Sequence, residues 1–122
     1  MTSRGNANAP ATLPRSARLT ESRDFNRVFE QASRARDRYF TILYRPSEDG
    51  GPRLGMAVSR RAAPKATDRN RIKRMVRETF RHRRAALGPR DIVVIAKAPA
   101  RDADRAELHR CLDRLWHKIA CQ

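Results

Sequence analysis

Arg69-Asn70-Arg71-Ile72-Lys73-Arg74-Met75-Val76-Arg77-Glu78-Thr79-Phe80-Arg81-His82-Arg83-Arg84 carries eight lysine and arginine side chains against one acid. It nevertheless keeps a helical rhythm, with Ile72, Met75, Val76, Thr79 and Phe80 recurring three and four residues apart. At ~100° per residue those five fall in one sector, while Asn70, Lys73, Arg74, Arg77, Arg81 and Arg84 fall in the opposite one. A charged tail would show no such sorting. The stretch reads as a folded helix with one side for a core and the other for a polyanion.

On its N-terminal side, Pro64-Lys65-Ala66-Thr67-Asp68 reads as a loop in which Thr67 or Asp68 caps that helix. Before it, Arg53 to Arg60 alternates Leu54, Met56 and Val58 with Gly55, Ala57 and Ser59, a strand whose small-residue side leaves room for approach to the backbone. Arg38-Tyr39-Phe40-Thr41-Ile42-Leu43-Tyr44-Arg45 has the aromatic and β-branched enrichment of another strand. Pro46 to Pro52, with Asp49-Gly50-Gly51 between, is turn-like, so the two strands are expected to form a hairpin. Further back a first helix starts near Thr20 or Ser22 and carries Phe25, Val28, Phe29 and Ala32 at helical spacing. Residues 1–15, mostly small and polar with Arg4 and Arg15, are expected to be a disordered basic tail, leaving 16–122 as the folded domain.

On its C-terminal side, Gly88-Pro89 ends the basic helix. Ile92 to Ala96 is a continuous apolar run of strand length, which places it mid-sheet, either covered on both faces or beside a parallel neighbour. A last helix starts at Asp104, with Glu107 as a capping-box-like partner, and buries Leu108, Cys111, Leu112, Leu115, Trp116 and Ile119.

At 122 residues there is room for one domain. The net charge is +15, and only four of the 28 basic side chains are lysines. Arginine's planar fork meets phosphate oxygens in pairs and stacks on bases, so this excess favours nucleic acid over membrane. No apolar run approaches the ~18 residues of a membrane span, and the first ten residues lack the apolar centre of a secretory signal, so a cytoplasmic protein is expected. Cys111 and Cys121 lie ten residues apart, ~15 Å along a continuous helix, too far for an internal disulfide. With His109 and His117 they lack the paired spacing of a zinc site.

Arg69-Asn70-Arg71-Ile72-Lys73-Arg74, then Arg77-Glu78 and Phe80-Arg81, resembles the signature of the protein component of bacterial ribonuclease P. Three further blocks match in order: Arg18-Leu19 leading to Asp24-Phe25 and Val28-Phe29; Arg53 to Ser59; and Asp91 to Lys97. The resemblance implies an α+β fold, a two-layer αβββαβα sandwich with a left-handed βαβ crossover. One of its four strands is not visible in the sequence pattern. It also implies a ribonucleoprotein that removes the 5′ leader of precursor tRNA, in which the catalytic RNA, with Mg2+ bound mainly by that RNA, performs the chemistry. The expected partners are ribonuclease P RNA and precursor tRNA, with no membrane and no small-molecule substrate.

The residues agree with an accessory role. A protein nuclease needs clustered carboxylates, a histidine pair or an activated nucleophile, and the acids here are scattered among turns, caps and helix surfaces. By the resemblance, Arg69, Asn70, Arg71, Lys73, Arg74, Arg77 and Arg81 contact the catalytic RNA. Phe25 and Phe29 fall on positions of the leader-binding cleft, between the first helix and the open face of the sheet. Tyr39, Tyr44, Arg60, Arg61, Lys65 and Lys97 are placed along that cleft or its mouth. Stacking on aromatic faces suits a leader of any sequence, although Phe25 and Phe29 at helical spacing also suit an ordinary core. Leu43 stands where a tyrosine is common, and Ala98-Pro99 where a basic residue and glycine often follow Lys97. The alternative is a ribosomal-type RNA-binding protein or general RNA chaperone. A helix-turn-helix DNA binder is disfavoured, because a strand and not a helix precedes the basic helix.

Overall fold

The computed structural model describes residues 32–47 and 51–122. The N-terminal tail, the first helix, Phe25 and Phe29 lie outside them. In chain order the elements are three strands, β1 (Ser33–Arg36), β2 (Phe40–Pro46) and β3 (Arg53–Ala57), a long helix α1 (Ala66–Leu87), a fourth strand β4 (Arg90–Ala96), and two helices, α2 (Pro99–Asp102) and α3 (Arg105–Ala120). The sheet order is β1-β2-β4-β3, antiparallel except for the β3–β4 pair.

β1 is the strand that the sequence pattern leaves invisible, since Ser33-Arg34-Ala35-Arg36 carries no branched or aromatic side chain. It is decided by the turn that follows. Asp37 Oδ1 accepts from the N–H groups of Tyr39 (2.8 Å) and Phe40 (2.9 Å), and Asp37 N–H donates to Phe40 O at 2.9 Å. This aspartate turn folds residues 33–36 back onto β2.

β2 and β3 do not form the expected hairpin: β4 lies between them. The reason is burial. Ile92, Val93 and Val94 are all buried, and a strand apolar on both faces belongs inside the sheet. Ser47, just after β2, is instead tied to the residue before β4, its N–H donating to Pro89 O at 2.8 Å. β3 is therefore an outer strand, running parallel to β4 and ending at Ala57, opposite Ile95, short of the expected Arg60. β3, α1 and β4 form a βαβ unit between parallel neighbours.

One face of the sheet carries the helices. Phe40, Ile42, Tyr44, Leu54, Ile92 and Val94 share a core with Ile72, Met75, Val76 and Phe80 of α1 and Leu108, Leu112, Trp116 and Ile119 of α3. Phe80 and Trp116 meet edge-on, centroids 5.6 Å apart. Thr79 sits in this apolar stripe because its hydroxyl is fully used: it donates toward Met75 O and Val76 O at 3.1 Å and accepts from Trp116 Nε1 at 2.8 Å. Cys111 of α3 is only partly buried against the core.

The helix ends depart from expectation at one point. α1 is preceded by Lys65, which makes no side-chain cap, and Thr67 and Asp68 lie within the first turn. Arg69 ties that end down instead, donating to Ala63 O (2.9 Å) and Pro64 O (2.8 Å). Asp104 does cap α3, accepting from Glu107 N–H at 2.8 Å. The reciprocal half of a capping box is missing, because the Glu107 carboxylate accepts from Tyr39 Oη and Arg110. α1 stops at Gly88, whose φ of 66° and ψ of −167° belong to a region that side chains strongly disfavour. An added Cβ would meet only Arg90 Nη1, at 3.9 Å, so space is not the obstacle. Gly88→Ala should cost ~1–3 kcal/mol from backbone strain alone, read as a lower urea midpoint at unchanged slope.

Candidate nucleic-acid interface

α1 sorts its side chains as its spacing requires. Ile72, Met75, Val76, Thr79 and Phe80 are buried; Asn70 and Arg74 are exposed, and Lys73, Arg77, Arg81 and Arg84 are half-buried on the other side. The basic residues are not all equivalent. Arg69 is committed to the loop carbonyls before the helix, and Arg71 donates to Arg101 O of α2 at 2.9 Å. Each keeps further guanidinium N–H donors, so structural anchoring and phosphate contact are compatible. Arg81 approaches His82 Nε2 at 3.5 Å, and its Nε is buried with no partner among the described residues.

The second face of the sheet is built from the alternate residues. Strand register sets Arg34, Leu43, Val93 and Gly55 in one row and Arg36, Thr41, Ile95 and Ala57 in the next. Leu43 and Val93 form a small apolar floor with Ala32 and Ile95. Arg34 and Arg36 stand exposed beside that floor, the only arginines of β1. Sequence spacing gave them no function, because their position depends on a strand that the pattern did not reveal. Asp91 is buried and accepts from Arg53 Nε and Nη2 at 2.9 and 3.0 Å.

Tyr39 and Tyr44 do not line this face. Both belong to the core beneath the helices, 6% and 8% exposed. Tyr39 Oη donates to Glu107 of α3, and that hydrogen bond, with burial, holds its pKa above the ordinary tyrosine value. Tyr39, just before β2, and Tyr44, within it, thus sit between the sheet and the helical layer. Lys97 follows β4, with Nζ donating to Asp37 O at 2.6 Å and its N–H to Tyr39 O at 2.8 Å. Arg60 and Arg61, in the link after β3, and Lys65, before α1, are exposed. Because β3 and β4 run parallel, Arg60, Arg61 and Lys97 gather at one end of the sheet.

Apart from Asp68, the described acids have structural partners. Asp37 makes the β1–β2 turn, Asp91 holds Arg53, Asp104 caps α3, Glu107 holds Tyr39, and Asp113 meets Arg83 and His109. Glu78 and Asp102 meet Arg105 and Arg101. Asp68 sits in the first turn of α1, where the helix dipole favours an acid. Burial, and next the Asp37 carboxylate, push the Cys111 thiol up, away from a reactive thiolate.

Residues 13–120 match the family described as Ribonuclease P. Among curated proteins, the ribonuclease P protein component of Methylococcus capsulatus is 50% identical over 104 residues, 85% of this chain and 81% of that one. The chain belongs to the ribonuclease P protein family. The family member of Thioalkalivibrio sulfidiphilus is 41% identical over 108 residues, 88% of this chain and 90% of that one. Among solved structures, the Staphylococcus aureus RNase P protein superposes with a TM-score of 0.79 at 31% identity, covering 85% of this chain and 94% of that chain. The Thermotoga maritima RNase P protein gives 0.66 at 35% identity, covering 80% and 96%. As a ribonuclease P protein, this chain has an RNA partner and works within an endoribonuclease complex that matures tRNA 5′ ends. Among the described residues, no helix is long and apolar enough to cross a membrane.

Proposed function

We propose that this chain is the non-catalytic subunit of that complex. It binds ribonuclease P RNA through the outward side of α1 and receives the single-stranded 5′ leader of precursor tRNA at the second face of the sheet. The observation that carries this reading is the sorting of α1, one side in the core and the other basic. Like charges on adjacent turns repel by a few tenths of a kcal/mol per pair, and a polyanion relieves that repulsion while releasing its counterions. Arg34, Arg36, Arg60, Arg61, Lys65 and Lys97 supply positive charge around the apolar floor and at one end of the sheet.

Catalysis is assigned to the RNA, with Mg2+ held mainly there. The described residues do not fit a protein-held magnesium ion, since no three His, Cys, Asp or Glu side chains converge among them and every described carboxylate except Asp68 is engaged as above. Magnesium ions would polarise the scissile phosphate and generate the attacking hydroxide when bound by the RNA. The protein's own residues bind and orient phosphate.

The test is reconstitution at low magnesium with a bacterial ribonuclease P RNA and a precursor tRNA. Leader release with protein and RNA together, and with neither alone, is the expected result. Cleavage by the protein alone would place an active site in the chain and overturn the reading, as would the absence of any stimulation.

A further inference from the structure

The basic side of α1 does not end at α1. A groove runs between it and the start of α3, lined by Thr67, Asn70, Arg71, Arg74 and Glu78 on one wall and Arg105 on the other. Two of its three arginines are placed by contacts that leave donors over: Arg71 by Arg101 O, at 2.9 Å, and Arg105 by Glu78 Oε1, at 3.4 Å. The second contact is weak by its geometry. It is a single long hydrogen bond from a guanidinium that is 72% exposed, and pairs of that kind contribute little to stability. A phosphate offers the same guanidinium two parallel, charge-assisted bonds.

Glu78 is also out of keeping with its surroundings, as the one acid between residues 69 and 84. As a surface charge it would only weaken a polyanion-binding helix. As the residue that parks Arg105 over the groove it has a use: it keeps the guanidinium extended beside Arg71 and Arg74, so that less side-chain entropy is lost when phosphate arrives.

We infer that RNA phosphate is bound in this groove by Arg71 and Arg74 of α1 together with Arg105 of α3, and that Glu78 is a positioning residue that holds Arg105 in place and yields it to phosphate. The inference rests on the reading of α1 as an RNA-binding helix and extends that surface onto a second element. The ligand is the RNA backbone, since the groove offers guanidinium forks and no aromatic side chain for stacking a base.

The experiment is a double-mutant cycle on the full chain, with affinity for a ribonuclease P RNA measured over a series of salt concentrations. Arg105→Gln should lower the slope of log affinity against log salt by about one, the value for one lost phosphate contact. Glu78→Gln should lower affinity several-fold, because Arg105 is no longer held beside Arg71 and Arg74 before phosphate arrives. In the Arg105→Gln background, Glu78→Gln should produce no loss. The Arg105 side chain is exposed, and unchanged melting temperatures would confirm that the fold is intact. An unchanged slope for Arg105→Gln overturns the inference, and so does an equal Glu78→Gln gain in both backgrounds, which would make Glu78 a simple repulsive charge. Arg74→Glu separates the two levels of the reading. A lower slope for Arg74→Glu with none for Arg105→Gln would remove only Arg105, whereas no change for either would remove the RNA-binding role of α1 as well.

Discussion

Reversing Arg74 and Arg77 together, to glutamate, is expected to weaken association with ribonuclease P RNA on the order of 10²-fold at low salt. Hydrogen bonds to charged groups contribute ~1.5–3 kcal/mol each, and ~1.4 kcal/mol is tenfold in affinity. The loss should carry a signature that misfolding lacks: the slope of log affinity against log salt falls by about two, one for each phosphate contact. Leader cleavage at low magnesium should fall in step and recover as protein concentration is raised. Both positions lie outside the apolar stripe of α1, so the melting temperature should hold within a few degrees. A salt slope identical to that of the parent chain would remove this side of the helix from the RNA interface.

The second large effect concerns stability. Trp116→Ala should cost ~3–5 kcal/mol, the range for removing a large aromatic side chain from a core. Trp116 is fully buried, meets Phe80 edge-on and donates to Thr79 Oγ1 at 2.8 Å. A domain of this size has only ~5–15 kcal/mol in hand, so the variant should unfold at a much lower denaturant concentration. Trp116→Phe keeps most of the ring and loses the hydrogen bond; its cost should be nearer ~1 kcal/mol. Thr79 would still donate to the Met75 and Val76 carbonyls, which keeps its own proton satisfied. Chemical denaturation of the three proteins separates packing from hydrogen bonding, and equal costs for the two variants would show that packing is not what the residue supplies. Because Trp116 packs on the inward side of α1, through Phe80 and Thr79, and not on its basic side, affinity per folded molecule should not change.

Much of the candidate interface could be read in one dimension because α1 is long and amphipathic. Helical geometry alone decides which of its side chains share a side, whatever the helix packs on. The same holds for α3, where Asp104, Leu108, Leu112, Trp116 and Ile119 take the roles their spacing implies. Strands are less forthcoming. Tyr39 and Tyr44 read as aromatic groups available to a ligand, but only strand register and the position of α3 reveal that one donates to Glu107 and both lie under the helices. Arg34 and Arg36 were silent for the complementary reason: their strand exists because of an aspartate turn and a partner strand, and alternation in four residues with one buried alanine carries no signal.

The amino-acid sequence by itself determined the family, the basic helix and its two sides, the C-terminal end of α1 and the start of α3, and the interior character of β4. These are local properties, set by side-chain periodicity, capping chemistry and the run of Ile92, Val93, Val94, Ile95 and Ala96. Only the tertiary structure decided that β4 separates β2 from β3, that the tyrosines face the helices, and that Arg105 of α3 stands across a groove from Arg71 and Arg74. Each of those depends on which distant segment arrives beside another. That choice is made by the joint burial of apolar faces across the whole domain, and no short window of sequence contains it.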